Sequence, residues 1–374
     1  MEGSGLSPTR VLHMISTGQV GGTEKHVASL LTGFDPSEFD LRVVLFRPGP
    51  LESAYAASAQ TKVIEKNKRY DLRFLLSLTR EVKAQRPSVV HTWNSTANLW
   101  GSLAARLGGV RKIIVSEEEM DLWKGPVWRL IDRVLARWAH VVVGNADAVC
   151  AASVERGVPR EKVRTIRNAL RAPVDLGKMP RDPMLIVLLG RIDPRKGHDV
   201  AMRAFSRVLT RFPEAKLHFA GAAVHPPEKG FEQELLALRE ELGLTERLVF
   251  LGHVADPWSL LRTAGVVISA SHSEGSPNVL LEASATGAPV VATAVGGATE
   301  IFDGTTAVLV PPNDADALAE GVLEAMGNWD QALARAERAR TMVLERFSPD
   351  RAIEAWTNLY REALGEGFPT KIAG

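Results

Sequence analysis

The stretch SEGSPNVLLE, Ser273–Glu282, places two glutamates eight positions apart, with a Gly-Ser-Pro turn and an apolar run between them. It follows Gly265–Ser269, an apolar run that predicts a buried parallel strand. Pro277 suits the first position of a helix, because the N–H that proline lacks would have no partner there. We therefore expect Glu274 in the loop after the strand and Glu282 about one and a half turns into the helix. Both would then lie at the carboxyl end of a sheet, where open α/β folds bind ligands.

The chemistry of these groups indicates what they would hold. An ionised carboxylate only accepts hydrogen bonds, and it can take two from neighbouring hydroxyls. The free N–H groups at the start of a helix favour a phosphate. Together they fit a sugar nucleotide. The alternative is a capped surface helix with two solvated glutamates.

Length and composition bound the fold class. A chain of 374 residues is long for one core and predicts two domains. The net charge of +1 gives no general attraction to nucleic acid or membrane. The single cysteine, Cys150, excludes an internal disulfide and a cysteine-rich metal site, and it fits a cytoplasmic location. Met1–Thr9 does not resemble a signal peptide, and no apolar run approaches the roughly 20 residues that span a bilayer.

Short apolar runs alternate with helical stretches in both halves of the chain, which predicts parallel sheets covered on both faces. A segment rich in Pro and Gly, Arg171–Pro183, predicts a linker between the halves. We therefore expect an α/β protein of two doubly wound, Rossmann-like domains, 1–175 and 176–346, that face each other across a cleft. A C-terminal helix, within 347–374, would pack back on them. The predicted strands are Arg10–Ile15, Leu41–Phe46, Val89–Thr92, Lys112–Val115, His140–Val143, Val163–Ile166, Met184–Leu189, Lys216–Ala220, Leu248–Leu251, Val266–Ser269, Pro289–Thr293 and Ala307–Val310.

Two further loops follow predicted strands. Gly190–Gly197 contains Arg191 and Lys196, an Arg fork and a Lys charge that would jointly bind a diphosphate without a metal. The alternative is a solvated basic loop. Gly21-Gly22 allows the backbone to approach a ligand closely, or simply makes a tight strand-to-helix turn.

Two other features leave alternatives open. His91 ends an N-terminal strand, where it would be either structural or part of the site. The helix predicted over Trp123–Ala139 carries an apolar stripe beside arginines at every fourth position, namely Arg129, Arg133 and Arg137. This pattern fits a buried stripe with a solvated basic edge. It also fits contact with anionic lipid headgroups or with a lipid-linked acceptor, and hence a peripheral position on the inner face of the membrane.

Taken together, these motifs resemble those of the family 4 retaining glycosyltransferases, which have the two-domain GT-B fold. The resemblance covers nearly the whole chain. Its most specific part is the pair Glu274 and Glu282 with Gly275, Pro277 and Asn278 between them. The Gly190–Gly197 loop and the Gly21-Gly22-x-Glu24 turn add to it.

The resemblance implies roles for these residues. Arg191 and Lys196, next to Gly190, would bind the diphosphate of the donor, and Glu282 its ribose hydroxyls. Glu274 would contact the transferred sugar, whereas Gly21 and Gly22 would border the phosphates or the acceptor. The implied reaction moves a hexose from a UDP- or GDP-sugar to a hydroxyl of a lipid-linked, polysaccharide or other glycan acceptor. The anomeric configuration is retained, and neither a metal nor a cofactor is needed.

One departure from the family pattern concerns the loop after an N-terminal strand, where many members carry a histidine near the sugar. The matching stretch, Val115–Asp121, has none. Glu118 would take its place, or His91 would contribute from the neighbouring strand. Two other functions stay open: a sugar-nucleotide epimerase of the same fold, and a non-catalytic relative that binds nucleotide sugars.

Overall fold

The computed structural model describes residues 7–68, 70–121, 123–170, 172–173, 177, 179–224 and 226–365. The chain forms two compact units. Unit 1 comprises Met1–Ala169 and Pro349–Gly374, and unit 2 comprises Leu170–Ser348. Of the predicted linker, Arg171, Val174, Asp175, Leu176 and Lys178 lie outside the described residues. The C-terminal segment belongs to unit 1.

Unit 1 contains a parallel sheet of seven strands among its described residues, in the order β3-β2-β1-β4-β5-β6-β7. The strands are β1 (Thr9–Ile15), β2 (Phe39–Leu45), β3 (Gln60–Val63), β4 (Val89–Trp93), β5 (Ile113–Glu117), β6 (Val141–Gly144) and β7 (Val163–Thr165). The helices are α1 (Gly22–Leu31), α2 (Glu52–Ala56), α3 (Leu72–Gln85), α4 (Asn94–Leu107), α5 (Pro126–Trp138) and α6 (Asp147–Glu155), with α14 (Pro349–Leu364) at the C-terminus.

Unit 2 repeats the plan with six described strands in the order β10-β9-β8-β11-β12-β13, again all parallel. They are β8 (Asp182–Leu189), β9 (Lys216–Ala220), β10 (Leu248–Gly252), β11 (Ala264–Ser269), β12 (Val290–Thr293) and β13 (Val308–Val310). The helices are α7 (His198–Arg211), α8 (Pro226–Glu241), α9 (Pro257–Thr263), α10 (Asn278–Ala285), α11 (Ala298–Ile301), α12 (Ala315–Gly327) and α13 (Trp329–Arg346).

Both sheets are covered on both faces, as the unbroken apolar runs of the strands predict. In β1, Val11 and Ile15 pack into one hydrophobic cluster, while Leu12 and Met14 pack into another on the opposite face. The twelve predicted strands are all confirmed, with ends that differ by a few residues. Only β3 was not predicted, because QTKV is short, polar and only partly buried.

The C-terminal helix expected within 347–374 is α14. Trp356 and Tyr360, with Ala352 and Leu359, are buried in the core of unit 1. Arg361 forms an ion pair with Glu38, with Nε and Oε1 2.7 Å apart. The last helix is thus an integral part of the first Rossmann-like unit.

Candidate active site

The two main motifs of unit 2 meet at the point where the strand order of its sheet reverses. The loop after β8 carries Arg191 and Lys196, the loop after β11 carries Glu274, and β8 pairs directly with β11. Neighbouring strands with connections running in opposite directions open a crevice at their carboxyl ends. Strand pairing therefore brings together motifs that are about 80 residues apart in sequence.

The two loops contact each other through the backbone. The His272 amide donates to the Arg195 carbonyl at 2.8 Å. Gly197 has φ +65°, and a Cβ there would lie 2.0 Å from the carbonyl oxygen of Ala270. Only glycine fits both the left-handed conformation and the close approach. Gly197 therefore allows the start of α7 to lie directly against the loop after β11.

Lys196 and Glu274 form an ion pair across these loops. Lys196 Nζ lies 2.6 Å from Glu274 Oε1, and the Ser271 hydroxyl donates to the same oxygen at 2.6 Å. Their side chains are 31% and 13% exposed. The pair is therefore open enough for a ligand to reach it. It is also buried enough that its charges interact more strongly than they would in bulk water.

Arg191 is held between two buried carboxylates. Its Nη2 lies 3.0 Å from Asp193 Oδ2, and its Nε lies 3.3 Å from Glu228 Oε1. Asp193 also accepts from the side chain and the amide of Arg195, and these contacts, against the cost of burial, lower the pKa of Asp193 to about 2. Sequence reasoning missed both acidic partners, although the position of Asp193 within the loop was a usable signal.

The second glutamate of the pair, Glu282, lies in α10 and is partly buried. Pro277 is the residue before this helix, with φ −79° and ψ 77°, and Asn278 is the first helical residue. The prediction that Pro277 occupies the first helical position was therefore wrong by one residue. The reason is that the Pro277 backbone is not yet helical, although its carbonyl already accepts the first bonds of the helix.

A close contact between backbones sets the position of Gly275. The Gly297 amide donates to the Gly275 carbonyl at 3.0 Å, and a Cβ on Gly297 would lie 2.1 Å from that oxygen. Gly190, by contrast, has no atom near the position of an added Cβ among the described residues, so space is open beside it. The loops after β8, β11 and β12 thus form one surface of backbone and polar side chains.

In unit 1, Gly21 and Gly22 lie at the carboxyl end of β1, and α1 begins at Gly22. Glu24 folds back over this turn and is buried, so that a Cβ on Gly21 would lie 2.2 Å from Glu24 Oε2. Asn94, after β4, donates to Glu24 Oε1 at 3.4 Å and adopts the left-handed conformation, φ +69°. Since β1 and β4 are neighbours, this is the corresponding reversal point of the first sheet.

Glu118 follows β5 at the same edge of the sheet and is buried. Asn145, after β6, donates to Glu118 Oε2 at 3.1 Å, and Asn168, after β7, donates to it at 3.4 Å. Burial raises the pKa of Glu118 to about 8, with smaller contributions from Glu24 and Glu117, against the lowering effect of the two amides. The carboxyl group is therefore largely protonated at neutral pH and can donate a hydrogen bond.

A buried ion cluster holds the loop that follows Glu118. Lys124 Nζ contacts Glu117, Asp121 and Asp132 at 2.9–3.2 Å, and Arg156 Nε contacts Asp132 at 2.9 Å. Burial and the neighbouring acids raise the pKa of Glu117 above its ordinary value, against the lowering effect of Lys124. Sequence reasoning missed this cluster, because its members look like solvated charges until the fold brings them together.

The structure argues against a catalytic role for His91. Its ring is fully buried, with Nδ1 2.8 Å from the Tyr360 hydroxyl and Nε2 2.7 Å from the Ser116 hydroxyl. It stacks on Trp93 at a centroid distance of 4.1 Å. Both nitrogens are occupied and no face is free for a substrate, because α14 covers this part of the sheet. His91 is a core residue that anchors the C-terminal helix.

The predicted basic helix begins at Pro126 rather than Trp123, because the proline starts the helix after an extended Gly125. Of its apolar stripe, Leu135 is buried, whereas Trp128, Ile131 and Trp138 are half-buried. A second apolar group faces outward: Trp123, Val127 and Leu130 are 56%, 71% and 61% exposed. Arg129, Arg133 and Arg137 are exposed beside them. Within the described part of the chain, we find no helix with the length and apolar character needed to cross a membrane.

Two family models match the chain, one on each half. The model described as Glycosyltransferase Family 4 matches residues 20–171, and the one described as Glycosyl transferases group 1 matches residues 177–342. Together they include every loop described above. The chain belongs to the family 4 glycosyltransferases, and its pair of Rossmann-like units is the GT-B fold.

Named relatives agree with this assignment. D-inositol 3-phosphate glycosyltransferase of Mycobacterium avium is 34% identical over 236 residues, covering 60% of this chain and 52% of that protein. The Acidothermus cellulolyticus protein of the same name is 35% identical over 258 residues, covering 60% and 56%. The chain thus spans about half the length of the curated relatives it matches.

Two solved structures share the fold. Anabaena Alr3699/HepE, solved with UDP and glucose, aligns with a TM-score of 0.81 at 20% identity, covering 94% of this chain and 99% of that one. Sucrose-phosphate synthase of Thermosynechococcus elongatus aligns with a TM-score of 0.76 at 19% identity, covering 96% and 100%. At such low identity, these two structures establish the fold alone.

Proposed function

We propose that the protein is a retaining glycosyltransferase that moves a hexose from a nucleoside diphosphate sugar to a hydroxyl of a glycan or lipid-linked acceptor. The observation that carries the proposal is the Lys196–Glu274 pair beside Arg191 at the reversal point of the second sheet. Two cations suited to a diphosphate lie there next to a carboxylate suited to sugar hydroxyls.

The roles of the residues follow from their chemistry. Arg191 and Lys196 bind the diphosphate and stabilise the negative charge that grows on the leaving phosphate. Glu282 accepts from the ribose hydroxyls, and Glu274 accepts from a hydroxyl of the transferred sugar. Open space beside Gly190 lets the phosphates approach the backbone. The leaving phosphate takes the proton of the acceptor hydroxyl as the new glycosidic bond forms on the face that the phosphate leaves.

Glu118 takes the place of the histidine that many family members carry. A neutral histidine and a protonated carboxyl both have one donor to offer a sugar hydroxyl. Glu118 Oε2 accepts from Asn145 and Asn168, which leaves Oε1 to carry the proton and donate it. Glu118 thus donates to the sugar the same kind of hydrogen bond that the family histidine would donate.

The nature of the donor is supported by the relatives rather than by this chain. Structures of the Anabaena protein contain UDP and UDP-glucose, and the mycobacterial relative is named for transfer to an inositol phosphate. We infer a UDP- or GDP-hexose as donor and a polyhydroxylated acceptor. A role in polysaccharide or glycolipid synthesis in the cytoplasm is consistent with such a donor and such an acceptor.

The test is to incubate the protein with UDP- and GDP-hexoses and measure nucleotide release and sugar transfer with and without glycan acceptors. Transfer with retention, seen by NMR of the product anomer, supports the proposal. A change in the sugar of the donor without transfer would indicate an epimerase instead. Tight binding with no turnover would indicate a non-catalytic relative.

We further propose that α5 attaches the protein to an anionic membrane. Trp123, Val127 and Leu130 would enter the headgroup region, and the neighbouring arginines would contact lipid phosphates. Binding to vesicles containing phosphatidylglycerol should exceed binding to pure phosphatidylcholine and should fall with salt. Leu130→Glu should abolish it, whereas Leu107→Glu, at an exposed leucine on α4, should not. Equal binding to neutral and anionic vesicles would contradict the proposal.

A further inference from the structure

We propose that Glu228 is a positioning residue that sets the orientation of Arg191 for the donor diphosphate. This inference rests on the function proposed above. Glu228 lies in the first turn of α8 and is 6% exposed. Its Oε1 lies 3.3 Å from Arg191 Nε. It touches the arginine rather than the expected ligand, so its effect would pass through Arg191.

The geometry of the guanidinium gives this contact its importance. The group is planar, with five N–H donors in fixed directions. Asp193 accepts a hydrogen bond from Nη2, and Glu228 forms an ion pair with the Nε side of the group. Asp193 belongs to the same loop as Arg191, whereas Glu228 belongs to a separate helix. The ion pair with Glu228 therefore links the guanidinium to α8 as well as to its own loop. No bond to Nη1 is found among the described residues, which leaves its two donors for a phosphate.

The other oxygen of Glu228 has a different task. Glu228 Oε2 accepts from the Val224 amide at 2.7 Å, in the loop after β9. One carboxylate therefore connects this loop, the helix and the arginine. A glutamine at position 228 can keep the Val224 contact through its single amide oxygen, but it would then present an NH₂ group to Arg191. Glu228→Gln therefore removes the charge that faces Arg191, while its amide oxygen can keep the contact with the Val224 amide.

A double-mutant cycle tests the inference. The affinities of UDP, GDP and ADP are measured by calorimetry for wild type, Glu228→Gln, Arg191→Ala and the double variant, together with thermal midpoints. For whichever of these nucleotides binds the wild type, we expect Glu228→Gln to raise the Kd by roughly threefold or more. In the Arg191→Ala background, the same change should leave the Kd almost unaltered. Glu234→Gln, at an exposed position on the same helix, is the matched control and should change nothing.

The outcomes separate this inference from the proposed function. If Arg191→Ala weakens binding and Glu228→Gln does not, the positioning role is wrong and the diphosphate site stands. The same loss in both backgrounds would show that Glu228 acts on the stability of the unit and not through Arg191. If wild type binds none of the three nucleotides, the proposed function fails and the inference fails with it.

Discussion

Lys196 and Glu274 come from different loops of unit 2, yet their side chains share one hydrogen bond of 2.6 Å. The contact uses Glu274 Oε1, which also accepts from Ser271. No bond to Oε2 is found among the described residues, so this oxygen is available to a hydroxyl. The proposed phosphate-binding cation and the proposed sugar-binding carboxylate are therefore physically linked, and a change in one affects the charge balance of the other.

This link predicts different effects for the two glutamates. Glu274→Gln should leave binding of the free nucleoside diphosphate unchanged or improve it, because the phosphate no longer competes with a carboxylate for Lys196. It should still impair turnover, because the sugar loses a charged acceptor. Glu282→Gln should weaken both the free diphosphate and the intact donor. Calorimetry with both ligands and steady-state kinetics measure these effects, and identical profiles for the two variants would refute the division of roles.

Arg191→Ala and Lys196→Ala should each weaken nucleoside diphosphate binding by about 1.5–3 kcal/mol, the usual loss for one charge-assisted hydrogen bond. That range corresponds to a rise in Kd of roughly 10- to 150-fold. Arg203→Ala removes an exposed arginine from α7 and serves as the control, with no change expected. Unaltered affinity in both site variants would exclude this loop as the diphosphate site.

Glu118 should make the protein less stable as the pH rises. Its pKa is about 8 in the folded state against an ordinary value of 4.5, so the folded protein holds a proton that the unfolded chain has lost. The contribution of this proton to the free energy of unfolding is fully present below pH 4.5. It is lost as the pH rises toward 8, at a rate of up to about 1.4 kcal/mol per pH unit.

Glu118→Gln removes this dependence, because the amide does not titrate. The free energy of unfolding would be measured in urea between pH 5 and pH 9. As the pH rises, it should fall more for the wild type than for the variant. If the proton on Glu118 is needed for the reaction, wild-type kcat/KM should also fall above about pH 8. A constant stability difference across this range would contradict the protonated state.

Gly297→Ala should destabilise unit 2. The added Cβ would lie 2.1 Å from the Gly275 carbonyl oxygen, so the loops after β11 and β12 must separate. Such overpacking costs about 1–3 kcal/mol, and the shift of Gly275 should also raise the KM for the donor. Gly304→Ala, which meets no neighbouring atom, is the control. Denaturant unfolding distinguishes the two, and equal stability would show that the contact is easily relaxed.

Transfer should not require a divalent metal. Arg191 and Lys196 supply the positive charge that a metal would otherwise bring to the leaving diphosphate. Full activity in excess EDTA is the expected result. A strict requirement for added Mg²⁺ or Mn²⁺ would show that these side chains are insufficient.

The sequence alone was enough for all strands but one and for the motifs at their ends. Strands such as β8 and β11 are recognisable because an unbroken apolar run and its flanking glycines are local features. The position of Arg191 and Glu274 at strand ends follows directly. The edge strand β3 escaped prediction, because a polar edge strand has no local pattern of burial.

The tertiary structure decided which side chains become partners. His91 and Glu118 look equally suitable in the sequence, but α14 covers the first, while burial raises the pKa of the second. Glu228 reaches Arg191 only through the packing of α8. Burial, pKa and ion pairing depend on groups that are distant in the chain, and so the sequence determined the elements and motifs while the fold determined their chemistry.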